Sequence, residues 1–264
     1  MPTQNEKAER FRALHEGEAF IIPNPWDAGS AKVLAALGFH ALATTSSGFA
    51  FTLGRSDGAT TLDEVCAHVS ALDAATDLPV STDLENGYGP EPADAATAIT
   101  RAAEAGAVGG SIEDHDPETG LYDREHAVER VAAAVEAARA LGFPFTLTAR
   151  AENHIRGNPD LDDTIARLQA YEQAGADVLY APGLRDAAEI KAVCDAVAKP
   201  VNVLAHRGLT MREIAAAGGT RVSVGGALTW VAVNAMAEAA EWIRDDGDFS
   251  VLTGPGRVPG WMKG

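Results

Sequence analysis

Lysine is scarce in this chain. There are five in 264 residues, Lys7, Lys32, Lys191, Lys199 and Lys263, and none stands at the end of an apolar run. A Schiff-base aldolase, which needs an amine where substrate binds, is therefore disfavoured. Cysteine is scarcer still. Cys66 falls on a helical face with Leu62, Val65, Val69 and Leu72, and Cys194 on one with Ile190, Val193 and Val197. Both read as core thiols of a cytoplasmic protein, not as disulfide partners or nucleophiles. No apolar run approaches the roughly 18 residues of a membrane span. The opening segment, residues 1–18, is polar and has no signal-peptide core. Positive charge is also short: 21 Lys and Arg stand against 38 Asp and Glu, for a net charge of −17. Nucleic acid and anionic membrane are thereby excluded as partners. An anionic substrate would need positive charge concentrated locally against that field.

What the chain has is rhythm. Short apolar runs occur at 19–23, 41–45, 78–83, 108–114, 145–150, 178–182, 200–205 and 221–226, separated by alanine-rich amphipathic segments. Several of those segments stop at a glycine, Gly38, Gly106, Gly142 or Gly175, the expected helix terminator. Eight strands alternating with helices predict parallel pairing through right-handed crossovers, hence a (β/α)8 barrel over residues 1–264 as one domain. A doubly wound open sheet is the runner-up, but no G-x-G-x-x-G follows the first run. Residues 1–18 predict an extra N-terminal helix. The tail after Gly247 carries little helix signal.

In a barrel, function gathers where strands end and βα loops begin. Asp83 and Glu113 lie one βα repeat apart and would end neighbouring strands. Asp83 and Glu85 share a side if the strand continues past Asp83. Three carboxylates would then meet at one mouth, repelling one another unless a cation joins them. Oxygen ligands without thiolates favour Mg2+ or Mn2+ over Zn2+; acids that cap helices and bond loop amides are the alternative. Arg150 ends the fifth run and suits a substrate carboxylate, or pairs with the acids beside it. The stretch "TTSSGFA" offers turn amides to an anion or is a simple turn. Asp27 and Ser30 read as a helix cap. Trp26 either walls the pocket or covers the barrel.

The segments "IIPNPWDAGSAKVLAALGFHALATTSSGFA", "VSTDLENGYG", "GSIEDHD", "TARAENHI", "YEQAGADVLYAPG", "PVNVLA" and "RVSVGGAL" resemble, in order and over nearly the whole chain, the isocitrate lyase/phosphoenolpyruvate mutase superfamily. The resemblance implies a (β/α)8 barrel whose last helix is often exchanged between subunits of a homodimer or homotetramer, with Mg2+ and a small anionic 2-oxo acid or enolate substrate. Residue by residue, it implies that Asp83 is the direct metal ligand. Glu85, Glu113 and Asp57 hold the metal further out, often through water. Arg150 binds substrate, and Ser46, Ser47 and Gly48 grip its carboxylate. Trp26, Asn202 and His206 are further substrate-side candidates.

This chain also departs from the family. The lyases carry a K-[KR]-C-G-H element after strand 4 whose cysteine is the acid/base. Here that region is "EDHDPETGLYDREHA", without cysteine or lysine, and the lysine and asparagine of the mutase loop are missing as well. Isocitrate-type cleavage by the usual acid and phosphonomutase chemistry are both disfavoured. The expectation is a Mg2+-dependent lyase or decarboxylase acting on a small 2-oxo or 2-hydroxy dicarboxylate through an enolate. His115, Glu118, Tyr122 and His206 are the candidate proton donors, and the loop after Asp114 is the candidate lid. The rivals are phosphonopyruvate-type P–C chemistry and a 2-oxo acid binding protein without catalysis.

Overall fold

The computed structural model describes residues 1–262. Eight strands form one sheet: β1 (Phe20–Ile22), β2 (Leu42–Ala43), β3 (Val80–Asp83), β4 (Gly109–Glu113), β5 (Thr146–Arg150), β6 (Val178–Tyr180), β7 (Val201–Leu204) and β8 (Arg221–Ser223). Each bonds in parallel to the next from β2 round to β8, and β8 pairs with β1. The circle is nearly closed; Ala43 N donates to Pro23 O at 3.1 Å across the remaining seam. This is the (β/α)8 barrel that the alternating pattern predicts, with shorter strands than the apolar runs.

Helix ends follow local chemistry. Reciprocal capping boxes open the helices at Thr3, Asp27, Thr61 and Thr210. Gly38, Gly106 and Gly175 end helices with positive φ, as expected. Gly142 does not: the helix Arg124–Ala140 stops at Leu141 in extended conformation. The stretch at Ser46 differs from the expected turn. Thr45 caps it, and Ser46–Thr52 is a short helix.

Leu84, Ile99, Phe145 and Leu147 belong to the shell between sheet and helices. The cavity inside the barrel is lined mostly by small or polar residues, such as Ala43, Ser81, Ser111 and Asn202, with Ile22 and Leu204 among them. The predicted N-terminal helix, Gln4–Leu14, packs Ala8 and Phe11 with Phe20, Ile22 and Val108 at the N-terminal ends of the strands. Gly109 is needed there, because a Cβ would lie 2.7 Å from the Phe11 ring and 2.9 Å from Thr146 O. The last long helix, Ala227–Asp246, is different from the rest. Thr229 is its one buried residue, and Val231, Met236 and Trp242 stand 66%, 62% and 52% exposed. No described helix is long and apolar enough to cross a membrane.

Candidate active site

The register of β3, β4, β5 and β6 brings Asp83, Glu113, Arg150 and Tyr180 to adjacent strand ends. Arg150 is the hub. Its guanidinium lies 3.0 Å from Asp83, 3.0 Å from Glu113 and 2.9 Å from Glu152, and stacks over the Tyr180 ring. Arg156, four residues beyond Glu152 in the loop after β5, meets Glu113 at 3.1 Å and Glu152 at 3.4 Å. Burial pushes the Glu113 carboxyl up, and the two arginines pull it back.

Asp83 is fixed on both sides. Its backbone N donates to Thr44 Oγ1 at 2.8 Å, and its Oδ2 accepts from Ser46 N at 3.3 Å. The strand ends at Asp83, so the expected shared side of Asp83 and Glu85 does not come from strand alternation. A turn does the work instead. Glu85 and Tyr88 both adopt left-handed φ, 49° and 64°, uncommon for side chains other than glycine. The turn directs Glu85 to Thr60 Oγ1 at 3.4 Å. Burial first, then the nearby charges of Asp83 and Asp57, raise its carboxyl to about 7. Arg130 holds the turn from behind, donating to Asn86 O and, at 2.9 Å, to Glu91 O.

Two neighbouring cavities open at this mouth. The first, about 210 Å³, has Ser46, Ser47, Asp57, Asp83 and Arg150 near its rim and runs down to Asn202 and Arg221. The second, about 170 Å³, is bounded by Asp57, Glu85, Glu113, His115, Arg150 and Arg156. Asp57, for which no local pattern argued, thus borders both.

The other expected residues divide. His115 borders the second cavity, and burial lowers its imidazole pKa. Glu118 is exposed at the tip of a small hairpin, His115–Asp116 against Gly120–Leu121, whose turn Asp116 caps. The Tyr122 hydroxyl is buried between Asn86 and Asp116 and borders neither cavity. His206 lies outside both cavities, with Nδ1 accepting from Gly208 N at 3.0 Å. Gly48 is a packing point: a Cβ there would lie 2.6 Å from Thr229 Oγ1 and 3.1 Å from Trp26 Cβ. Trp26 itself borders neither cavity.

Glu152, Arg156, Tyr180 and Arg221 had no assigned role in the sequence reading. The i, i+4 spacing of Glu152 and Arg156 was a usable signal, as was the arginine that opens the apolar run at 221. Asp114, beside Glu113, faces away. It accepts from Glu152 N, Arg167 and Tyr171 in a buried network.

Among the described residues, no three His, Cys, Asp or Glu side chains close around one point as a ready-made metal cage. Arg150 stands between Asp83 and Glu113, and Glu85 faces Asp57 and Thr60. The donor set nonetheless fits a hard divalent cation that keeps part of its water shell. All the donors are oxygens. Asp57, Asp83, Glu85 and Glu113 border the two cavities, and of the acids here only Asp83, Glu113 and Glu152 pair with Arg150 or Arg156.

The phosphoenolpyruvate phosphomutase family model matches residues 11–244. The chain belongs to that family. The superfamily resemblance read from its motifs is borne out. A solved structure from Burkholderia cenocepacia, whose name of lyase/mutase is itself provisional, is 56% identical. It superposes with a TM-score of 0.95 over 99% of this chain and 97% of the other. A 2-methylisocitrate lyase of Halalkalibacterium halodurans is 31% identical over 205 residues, 75% of this chain and 67% of the relative. An oxaloacetate decarboxylase of Bradyrhizobium diazoefficiens is 30% identical over 205 residues, 74% and 69% of the two chains. As a member of this family, the protein is an enzyme of the lyase type.

Proposed function

We propose that the chain is a Mg2+-dependent enzyme that breaks a C–C bond in a small 2-oxo or 2-hydroxy dicarboxylate, with decarboxylation the favoured form. The observation that carries this reading is the cluster of Asp83, Glu113 and Glu152 around Arg150 at the mouth of a cavity. Asp83 is the proposed direct ligand, with Glu85, Glu113 and Asp57 holding the ion through water. Bound there, Mg2+ or Mn2+ would supply positive charge for the negative charge that develops as the bond breaks.

The chain's own groups do the rest. Ser46 and Ser47, on the rim of the cavity, hold the substrate carboxylate beside Arg150. Arg150 keeps the acids apart and in register. His115 is the proposed proton donor, since it alone of the four candidates borders the acid cluster. The hairpin after Asp114 has neither cysteine nor lysine. That favours decarboxylation, which needs an electron sink and a late proton, over cleavage that depends on a loop cysteine. Two relatives carry the names of these two alternatives.

Self-association belongs to the same reading. The exposed apolar residues of Ala227–Asp246 suit a second copy of the chain, as a homodimer or homotetramer. The two free thiols suit a reducing cytoplasm.

A steady-state assay with Mg2+ over oxaloacetate, 2-oxoglutarate, isocitrate, malate-type acids and phosphonopyruvate tests the proposal. Turnover of a 2-oxo dicarboxylate with release of CO2 is expected, and it should stop on chelation of the metal. Phosphate release from phosphonopyruvate alone, or binding without turnover of any compound, would overturn it.

A further inference from the structure

Arg221 is buried in the barrel, 5% exposed, and lines the cavity below Arg150. Its three partners are all neutral: Asn202 Oδ1 at 2.8 Å, Thr148 Oγ1 at 2.9 Å and His15 Nε2 at 3.2 Å. His15 pairs its Nδ1 with Phe11 O at 2.8 Å, which makes Nε2 the acceptor for Arg221. Burial lowers the Arg221 guanidinium to about 10, so it stays charged at neutral pH. A buried charge without a counterion is costly. The cost is informative, because the mouth above is crowded with carboxylates that already engage Arg150 and Arg156. Among the described residues around the two cavities, Arg221 is the cation without a carboxylate partner.

The depth is also suitable. Thr148 and Arg150 are two residues apart on β5 and face the same way, so the Thr148 layer lies roughly 6–7 Å below the Arg150 layer. One continuous cavity joins Ser46 and Arg150 at the rim to Asn202 and Arg221 at the floor. A short dicarboxylate spans that interval.

We propose that the Arg221 guanidinium, backed by Asn202, is the subsite for the second carboxylate of a dicarboxylate substrate, whose 2-oxo or 2-hydroxy carboxylate end sits at the mouth beside Asp83 and Arg150. This inference rests on the metal-dependent dicarboxylate reading above. Arg221 then determines chain length and charge: dicarboxylates bind across the cavity, and their monocarboxylate counterparts forfeit the lower contact. The binding involves no covalent step.

Malate and lactate test this, because they share the chelating end and differ in the second carboxylate. Titration calorimetry with Mg2+ present would compare both compounds, each as both enantiomers, on the wild-type protein and on Arg221→Gln. The wild type should prefer malate by roughly tenfold to hundredfold, the worth of a charge-assisted contact. Arg221→Gln should erase that preference and leave lactate unchanged, and Arg221→Lys should restore part of it. If the preference survives in Arg221→Gln, or if both compounds weaken equally, the subsite is not at Arg221. If the variants do not fold, bromide competition on the wild type decides, at ionic strength held with a large sulfonate. Bromide should weaken malate and spare lactate, and equal effects would overturn the proposal. Failure of the wild type to bind either compound, with or without Mg2+, would instead remove the metal-dependent reading on which this one stands.

Discussion

Arg150 and Asp83 meet at 3.0 Å although β4 separates their strands. A guanidinium thus occupies the side of Asp83 that faces the other acids, and Ser46 N takes its second oxygen. The carboxylate is oriented before any cation arrives. That arrangement makes opposite predictions for its two members.

Asp83→Asn keeps the shape and removes the charge. Mg2+ affinity should fall by roughly 10–100-fold or more, a typical loss when a metal's polar support is altered. Arg150→Ala should bind Mg2+ more tightly than the wild type, because a competing cation has gone, while substrate binding weakens. Calorimetric titration of Mg2+ into both variants checks this. Unchanged metal affinity in Asp83→Asn would sink its assignment as the ligand.

The loop that carries Glu85 should depend on Arg130. This arginine is 1% exposed, lies over the Tyr122 ring and bonds two carbonyls of the segment 86–91. Gly87 beside it has φ of +82°, and a Cβ there would lie 2.9 Å from Ala95 Cα, so the turn has little slack. Arg130→Met strands the buried Asn86 carbonyl, while Glu91 O keeps its bond from Asp94 N, and should cost about 1–3 kcal/mol, the penalty for one unmet group. Urea unfolding reads the stability, and Mg2+ affinity reads the loop. A stable variant with normal metal affinity would show that the turn holds itself.

How much of this was readable from sequence depends on which force acts. The barrel was legible because burial writes its period directly into the chain, and the cap at Asp27 because it is local chemistry. The neighbouring positions of Asp83 and Glu113 followed from one βα repeat. Glu85 was not legible in the same way, since a left-handed turn, not strand alternation, places it. Arg221 and Tyr180 were missed because each matters only once eight strands close a ring. The helix at Ser46 was read as a turn because Gly48 looked like a turn residue. In the structure that glycine is required by Thr229, far away in sequence.

Acid should weaken the fold through His15. Burial, then the charge of Arg221, hold its imidazole at about 3, against about 6.5 when unfolded. Between those values the unfolded chain takes up a proton that the folded chain refuses. Stability from this group is therefore complete above pH 6.5 and is lost as pH falls toward 3, at up to about 1.4 kcal/mol per pH unit. His68, lowered to about 4 by burial, acts in the same direction. Glu85, raised to about 7, acts oppositely. Comparing His15→Gln with the wild type at pH 7 and pH 5 isolates the one group: the variant should lose less stability on acidification. Parallel losses would mean that His15 titrates normally.

The outer helix should be an interface. Val231, Met236 and Trp242 are exposed on one long helix, and nothing else in the described chain covers them. Sedimentation should find a dimer or tetramer, and Val231→Glu with Met236→Glu should dissociate it with the barrel still folded. A monomeric wild type at micromolar concentration would remove this expectation.

The proton donor can be assigned from position. His115 opens the hairpin and borders the cavity that holds Glu85, Glu113 and Arg156, whereas Tyr122 is tied to Asn86 and Asp116, and Glu118 is exposed at the hairpin tip. Burial and then Arg156 lower its imidazole, so the protonated donor form is favoured toward acid pH and is replenished from solvent after each turnover. His115→Gln should reduce kcat by about 10²–10⁴-fold with KM little changed, the usual worth of general acid–base catalysis. Glu118→Gln and Tyr122→Phe should remain within a few-fold of wild type. Because the donor must be protonated, kcat should fall as pH rises through a value below the ordinary histidine range, and that limb should disappear in His115→Gln. If that limb persists unchanged, the proton comes from solvent or from another residue at the mouth, and the hairpin's role is confined to covering it.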